Sequence, residues 1–294
     1  GTSCGGGAAG AQGKNGCRGG PSRWEAHTEG TGAKRMAVGS QPRISSAGTQ
    51  VAFITAPPSA YHSQARGAQD NPESHVAIAD LASGKVTILR DIPSDSSFGP
   101  VFSPDGKSIV FSSRREFFRD LNVIKEDGTG SRVIVKGTEI GHPMYYSPCW
   151  APDGQSIFCH NARTICQLGL DGAILAKWDI DKIAPDGMTG SISVSPDGNR
   201  LLVSNEYRKN SEAPPPSLWS FDLATQQSTR LVTPKELSVS EGCWLDKDNI
   251  LFQSGAAEES DEPAPRPAIY RMSLDGKNLN LLVTNGLNPT VSTP

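Results

Sequence analysis

Apolar residues along this chain come in short runs, separated by polar stretches rich in Gly, Pro, Asp and Asn. One unit, "SPDGKSIVF" at 103–111, returns as "APDGQSIFC" at 151–159 and "SPDGNRLLV" at 195–203. Weaker copies are "SSAGTQVAF" at 45–53 and "LDKDNILF" at 245–252. Pro presets φ for the second position of a turn, Asp bonds its own backbone, and Gly takes the left-handed conformation that closes it. The run that follows, Ile109-Val110-Phe111 in the first unit, is too short for a helix and rich in β-branched and aromatic residues. It predicts a strand, and its lack of polar alternation predicts burial on both faces. Each unit thus reads as strand, tight turn, strand.

A second hairpin follows each first one: "VAIADLASGKVTIL" (76–89), "LNVIKEDGTGSRVIV" (121–135), "ICQLGLDGAILAKW" (165–178), "LWSFDLATQQSTRLV" (218–232) and "IYRMSLDGKNLNLLV" (269–283). Four strands per unit, repeating at about 40 to 60 residues, predict a β-propeller, because a four-stranded sheet cannot cover both its faces alone and blades must stack round an axis. "RWEAHTEGTGAKRMAV" (23–38) matches an outer hairpin, and "NPTVSTP" (288–294) matches the start of a first strand. Together they predict an all-β, six-bladed propeller of four-stranded antiparallel blades, with 23–38 and 288–294 in one closing sheet. That blade lacks a strand after Pro294, which leaves open a short blade or a fragment of a longer chain.

The repeated SPDG turn, the apolar run behind it and the later Asp-Gly turn resemble the TolB-type propeller repeat over roughly residues 23 to 294. The resemblance implies the propeller fold and a periplasmic, cell-envelope or secreted location. It does not carry over a Tol–Pal role, because nothing in the sequence corresponds to the α/β domain ahead of the propeller in the family's namesake.

Composition is compatible with this. With 28 basic and 31 acidic residues the net charge is −3, which gives no electrostatic reason for a nucleic-acid or anionic-membrane partner. No apolar stretch is long enough to span a bilayer as a helix. A single propeller at residues 21–294 is expected, and a monomer. Residues 1–20, "GTSCGGGAAGAQGKNGCRGG", have nothing to bury and predict a flexible leader. Cys4, after small residues and before a Gly run, resembles the lipidated start of a bacterial lipoprotein; a plain tail or a Cys4–Cys17 disulfide are the alternatives. Cys149 and Cys243 each precede a Trp and read as packed thiols. Cys159 and Cys166 fall on adjacent strands, where a cross-strand disulfide and two free thiols are both open. Five scattered His and no Cys-x-x-Cys give no zinc spacing, and no cofactor or metal is expected.

Loop length carries the functional signal. Turns within hairpins are tight, whereas the links between hairpins and between blades are long, as at 56–74, 136–148, 206–217 and 255–267. These two kinds of connection fall on opposite faces, so the long-loop face is the expected binding surface. Around the channel mouth on that face the sequence offers Arg114, Arg115, His142, Tyr145, Tyr146, His160, Arg163, Glu206, Tyr207, Arg208 and Glu241. Tyr and Arg together suit recognition. The plain alternative is that "MYYSP" plugs the channel and the arginines pair in water. No G-x-S-x-G nucleophile elbow occurs. The expected function is therefore non-catalytic binding of a protein, a peptide or a small saccharide. The alternative is an enzyme or part of one, either the propeller domain of a prolyl-oligopeptidase-like peptidase or a metal-dependent oligosaccharide lyase with His142 and His160 near the mouth.

Overall fold

The computed structural model describes residues 22–25, 34–55, 74–90, 96–115, 118–137, 145–161, 163–185, 188–206, 216–234, 237–256, 267–284, 286 and 288–292. A two-stranded sheet, β1 (Ser22–Glu25) with β2 (Lys34–Val38), precedes five four-stranded antiparallel blades. Blade one is β3 (Ser40–Ile44), β4 (Gln50–Ile54), β5 (Val76–Asp80) and β6 (Val86–Ile88). Blade two is β7 (Ser96–Phe102), β8 (Ser108–Arg115), β9 (Phe118–Lys125) and β10 (Arg132–Val135). Blade three is β11 (Tyr146–Trp150), β12 (Ser156–His160), β13 (Thr164–Gly169) and β14 (Ile174–Asp179). A one-turn helix α1 (Ile180–Ile183) leads to blade four: β15 (Met188–Val194), β16 (Arg200–Glu206), β17 (Ser217–Asp222) and β18 (Ser228–Arg230). Blade five is β19 (Leu237–Trp244), β20 (Asn249–Ala256), β21 (Ala268–Ser273) and β22 (Asn280–Thr284).

The blade count corrects the expectation of six. The two pieces of the sixth repeat do not share a sheet: β1 pairs only with β2, and 288–292 forms no ladder among the described residues. Residues 288–292 nonetheless run beside blade one, where the Ile44 N–H donates to Thr290 Oγ1 at 3.2 Å. The helix α1 was also not foreseen. It is a single turn capped by Asp179, whose side chain accepts from the Asp181 N–H, and it buries Ile180 and Ile183 between blades three and four.

The repeated turn works as its residues dictate. In blade two the Ser103 hydroxyl donates to Asp105 Oδ1 at 2.6 Å and accepts from the Ser108 N–H at 2.9 Å, while Asp105 Oδ1 also accepts from the Lys107 N–H. Gly106 takes φ 74°. Blade four repeats this set with Ser195, Asp197 and Arg200. In blades one, two, four and five a further backbone bond ties the outer turn to the inner one, as in Glu126 N–H to Lys107 O and Leu223 N–H to Asn199 O, so both tight turns lie on one face.

The core lies between blades. Blades one and two bury Ala52, Ile78, Phe102 and Phe111 against each other, and blades two and three bury Val110, Leu121, Tyr145 and Ile157. Blades three and four enclose Phe158, Ile165 and Leu201, and blades four and five enclose Leu202, Trp244 and Phe252. Burying such side chains is worth about 1.5–3 kcal/mol each, which is what makes the stacked arrangement stable.

Candidate functional site

The inner strands β3, β7, β11, β15 and β19 line a central channel with a cavity of about 490 Å³, within the range common for ligand sites. Each of these strands carries a register shift near its loop-side end. At that point Gln41, Gly99, Ser147 and Glu241 take positive φ (51°, 56°, 47° and 39°), and Asn288 does so in the closing segment (51°). All five line the cavity. A non-glycine residue with positive φ costs of the order of 1–2 kcal/mol, so surrounding contacts must hold it. Inter-blade hydrogen bonds supply them: the Gly99 N–H donates to Gln41 Oε1 at 2.7 Å, the Ser147 hydroxyl to Gly190 O at 2.9 Å, and the Asn288 N–H to Gln253 Oε1 at 2.9 Å.

At the loop-side end of the channel four side chains form a continuous stack across blades two and three. The Arg119 guanidinium carbon lies over the Phe98 ring at 4.0 Å and over the Tyr146 ring at 4.9 Å. Tyr146 stacks in turn on His160, with ring centroids 5.5 Å apart and an interplanar angle of 27°. The ladder dictates the last contact, because Tyr146 and His160 are directly opposed on β11 and β12. Burial lowers the pKa of Arg119, Tyr146 opposes that shift and Arg114 adds to it. Burial pushes His160 down to about 4, against a hydrogen bond to the Gly190 backbone, so its imidazole is neutral at physiological pH. Deeper in the channel, Arg43 and Glu241 form a long pair of 3.9 Å with both side chains about a third exposed, a geometry worth little. Cys149 and Cys243 stand on the same wall with their thiols pushed up to about 12 by burial, against the pull of Arg43.

The structure thus brings Tyr146, His160 and Glu241 together on the channel. One expectation is corrected, and two further candidates lie off the cavity wall. Tyr145 is not on the rim: it is fully buried between blades two and three, with its carbonyl accepting from the Ser112 hydroxyl at 2.9 Å. Arg114 and Arg163 are exposed and do not line the cavity. Arg163 belongs to the turn built on Asn161 Oδ1, which accepts from its N–H. For Arg115 and Glu206 the backbone ends strands β8 and β16 and the side chains lie outside the described set, while His142, Tyr207, Arg208 and Cys4 lie outside the described residues altogether. Cys159 and Cys166 oppose each other across β12 and β13 as free, buried thiols.

Phe98, Arg119, Arg43 and the ring of positive-φ residues were missed. A signal for the ring exists, in the repeated x-Pro of Gln41-Pro42, Gly99-Pro100, Ser147-Pro148 and Asn288-Pro289. Among the described residues no three His, Cys, Asp or Glu side chains group as metal ligands, and no helix is long and apolar enough to cross a membrane.

No family model and no curated protein matches the chain. Solved propellers do. A structure described as TolB from Agrobacterium tumefaciens shares 17% identity, with a TM-score of 0.66 over 88% of this chain and 87% of that one. TolB from Acinetobacter baumannii shares 16%, with a TM-score of 0.62 over 90% of this chain and 60% of that one. An oligogalacturonate lyase in complex with manganese shares 16%, with a TM-score of 0.52 over 83% and 69%. At these identities the likeness establishes a TolB-like propeller fold.

Proposed function

We propose that this chain is a non-catalytic, envelope-associated or secreted propeller that binds a protein, a peptide or a small saccharide at the loop-side mouth of its channel. The observation that carries this reading is the Phe98–Arg119–Tyr146–His160 stack at the opening of a cavity of about 490 Å³. Aromatic rings and a guanidinium give large contact area and directional donors, the chemistry of recognition. His160 is neutral and buried, so it serves as a platform for Tyr146 and is poorly placed to exchange protons with a ligand. The envelope location rests on the TolB-type resemblance, and a lipid anchor at Cys4 is an extension of that reading. The enzyme reading rests on the matched lyase and on a matched puromycin-hydrolysing peptidase of Mycobacterium tuberculosis, which share the fold alone.

The test is affinity capture from envelope extract with Tyr146→Ala beside Asp153→Ala, a change at the opposite, tight-turn face. Capture lost with the first and kept with the second is expected. Capture that survives Tyr146→Ala but is lost with Asp153→Ala in a folded protein would assign binding to the other face.

A further inference from the structure

We infer that the ligand of this channel presents a single carboxylate to Arg119; the inference deepens the binding reading above and rests on it. Arg119 lies in the cavity wall, half-buried, at the seam of blades two and three. Its contacts with Phe98 and Tyr146 are ring contacts, and these use none of its five N–H donors. Among the described residues no carboxylate pairs with the guanidinium and no acceptor receives its N–H groups. Its one charged neighbour there is Arg114, which repels it. A half-buried cation without a counter-charge is costly. The protein holds it in place with two aromatic rings instead of a carboxylate, so the donor fork is left ready for an acceptor that arrives from outside.

The charge of the cavity selects a monoanion. Arg43 and Glu241 cancel, and His160 is neutral, so Arg119 supplies the one unbalanced charge among the described lining residues. A planar guanidinium matches a carboxylate in a two-pronged arrangement. A phosphate dianion would call for a second cation in the wall, and Arg114, the neighbouring cation, is exposed and does not line the cavity. Below Arg119 the wall is apolar at Val101, Ile192 and Trp244, which suits an aliphatic stem behind the acid. A peptide C-terminus and a free organic acid both present this chemistry.

Two matched pairs of probes separate the sources: N-acetyl-Ala-Leu as the free acid and as its amide, and hexanoate with hexanamide. Binding is read by calorimetry and by the Nε–Hε resonance of Arg119. The acids are expected to bind and shift that resonance, and the amides are not. If only the dipeptide acid binds, the source is a peptide end; if hexanoate binds equally, a free acid suffices. Arg119→Gln should weaken acid binding at least about tenfold. Arg119→Lys keeps the charge but loses the fork, and should fall between. If Arg119→Gln does not fold, the acid–amide contrast in the parent and the Lys variant decide. Acids and amides that titrate alike, acids that do not bind at all, or full affinity in Arg119→Gln would each overturn the inference. A captured neutral partner that depends on Tyr146 but not on Arg119 would overturn it while leaving the channel reading intact; a partner that depends on neither would remove both.

Discussion

Arg119 holds its guanidinium carbon 4.0 Å from the centre of the Phe98 ring on β7, and the same carbon lies 4.9 Å from the ring of Tyr146 on β11. One cation therefore ties the inner strand of blade two to that of blade three at the channel mouth. A half-desolvated contact of this kind is worth about 0.5–2 kcal/mol. A double-mutant cycle with Phe98→Leu and Arg119→Gln, followed by urea denaturation, should give a coupling of about 1 kcal/mol. Strict additivity would mean that the stack is a passive contact.

His160 makes folding sensitive to pH. Its folded pKa of about 4 lies below the ordinary value of 6.5. Between these values the unfolded chain binds more protons than the folded one, so stability falls as pH drops through that window. A lowering of this size corresponds to about 3 kcal/mol at most. His160→Phe should flatten the stability profile between about pH 6.5 and 4. An imidazole that titrates near 6.5 by NMR in the folded protein would contradict the burial described here.

The carboxylates of the tight turns act at lower pH. Asp105 and Asp197 are held below the usual carboxylate value by the Ser103 and Ser195 hydroxyls first, and Asp275 lies at about 2 because of Ser273. A depressed folded pKa stabilises above the unfolded value of 3.8 and is lost as pH falls below it. Asp197→Asn should lessen the loss of stability on acidification from about pH 4 to 2, and Ser195→Ala, which removes the hydroxyl that lowers the carboxyl, should do so in part. An acid limb unchanged in both variants would separate the turn from the titration.

These turns were legible because their chemistry is local: Ser, Asp and Gly at fixed spacing suffice to write the bonds of residues 103–108. The blades were legible for the same reason, since each hairpin is short and its apolar run continuous. The site was only partly so. Tyr146 and His160 could be placed from the topology, but Tyr145, its neighbour in sequence, alternates to the opposite face and enters the core. Arg119 was invisible because its partners lie on β7, two strands across its own blade, and on β11, which only the stacking of blades brings near. The sixth blade was over-read for a related reason. Sequence similarity of 23–38 to an outer hairpin says nothing of the ladder that it would have to join, and the structure pairs that hairpin with itself.

The thiols of Cys149 and Cys243 stand on the channel wall yet are pushed up to about 12 by burial. Thiolate is the reactive form. Both should resist iodoacetamide at pH 8 in the folded protein and react on unfolding in urea. Rapid modification of either in the native state would mean that its surroundings are wetter than described.

Thr290 ties the closing segment to blade one. Blade one offers its inner strand to residues 288–292, where Thr290 Oγ1 accepts the Ile44 N–H at 3.2 Å and Ser292 lies against Gly48. Among the described residues, Phe53, Ala77 and Ala79 form a buried cluster of their own in blade one, separate from the core that it shares with blade two. Thr290→Val keeps the shape and removes the acceptor, leaving a partly buried N–H without its partner, at a cost of about 1–2 kcal/mol. Thr290→Ser restores the acceptor and should recover most of that loss. Hydrogen exchange at the Ile44 amide should rise in the Val variant before exchange rises in blades two to four, because the seam opens first. Equal stability of the Val variant and the parent, with Ile44 still protected, would show that the ring is held shut elsewhere.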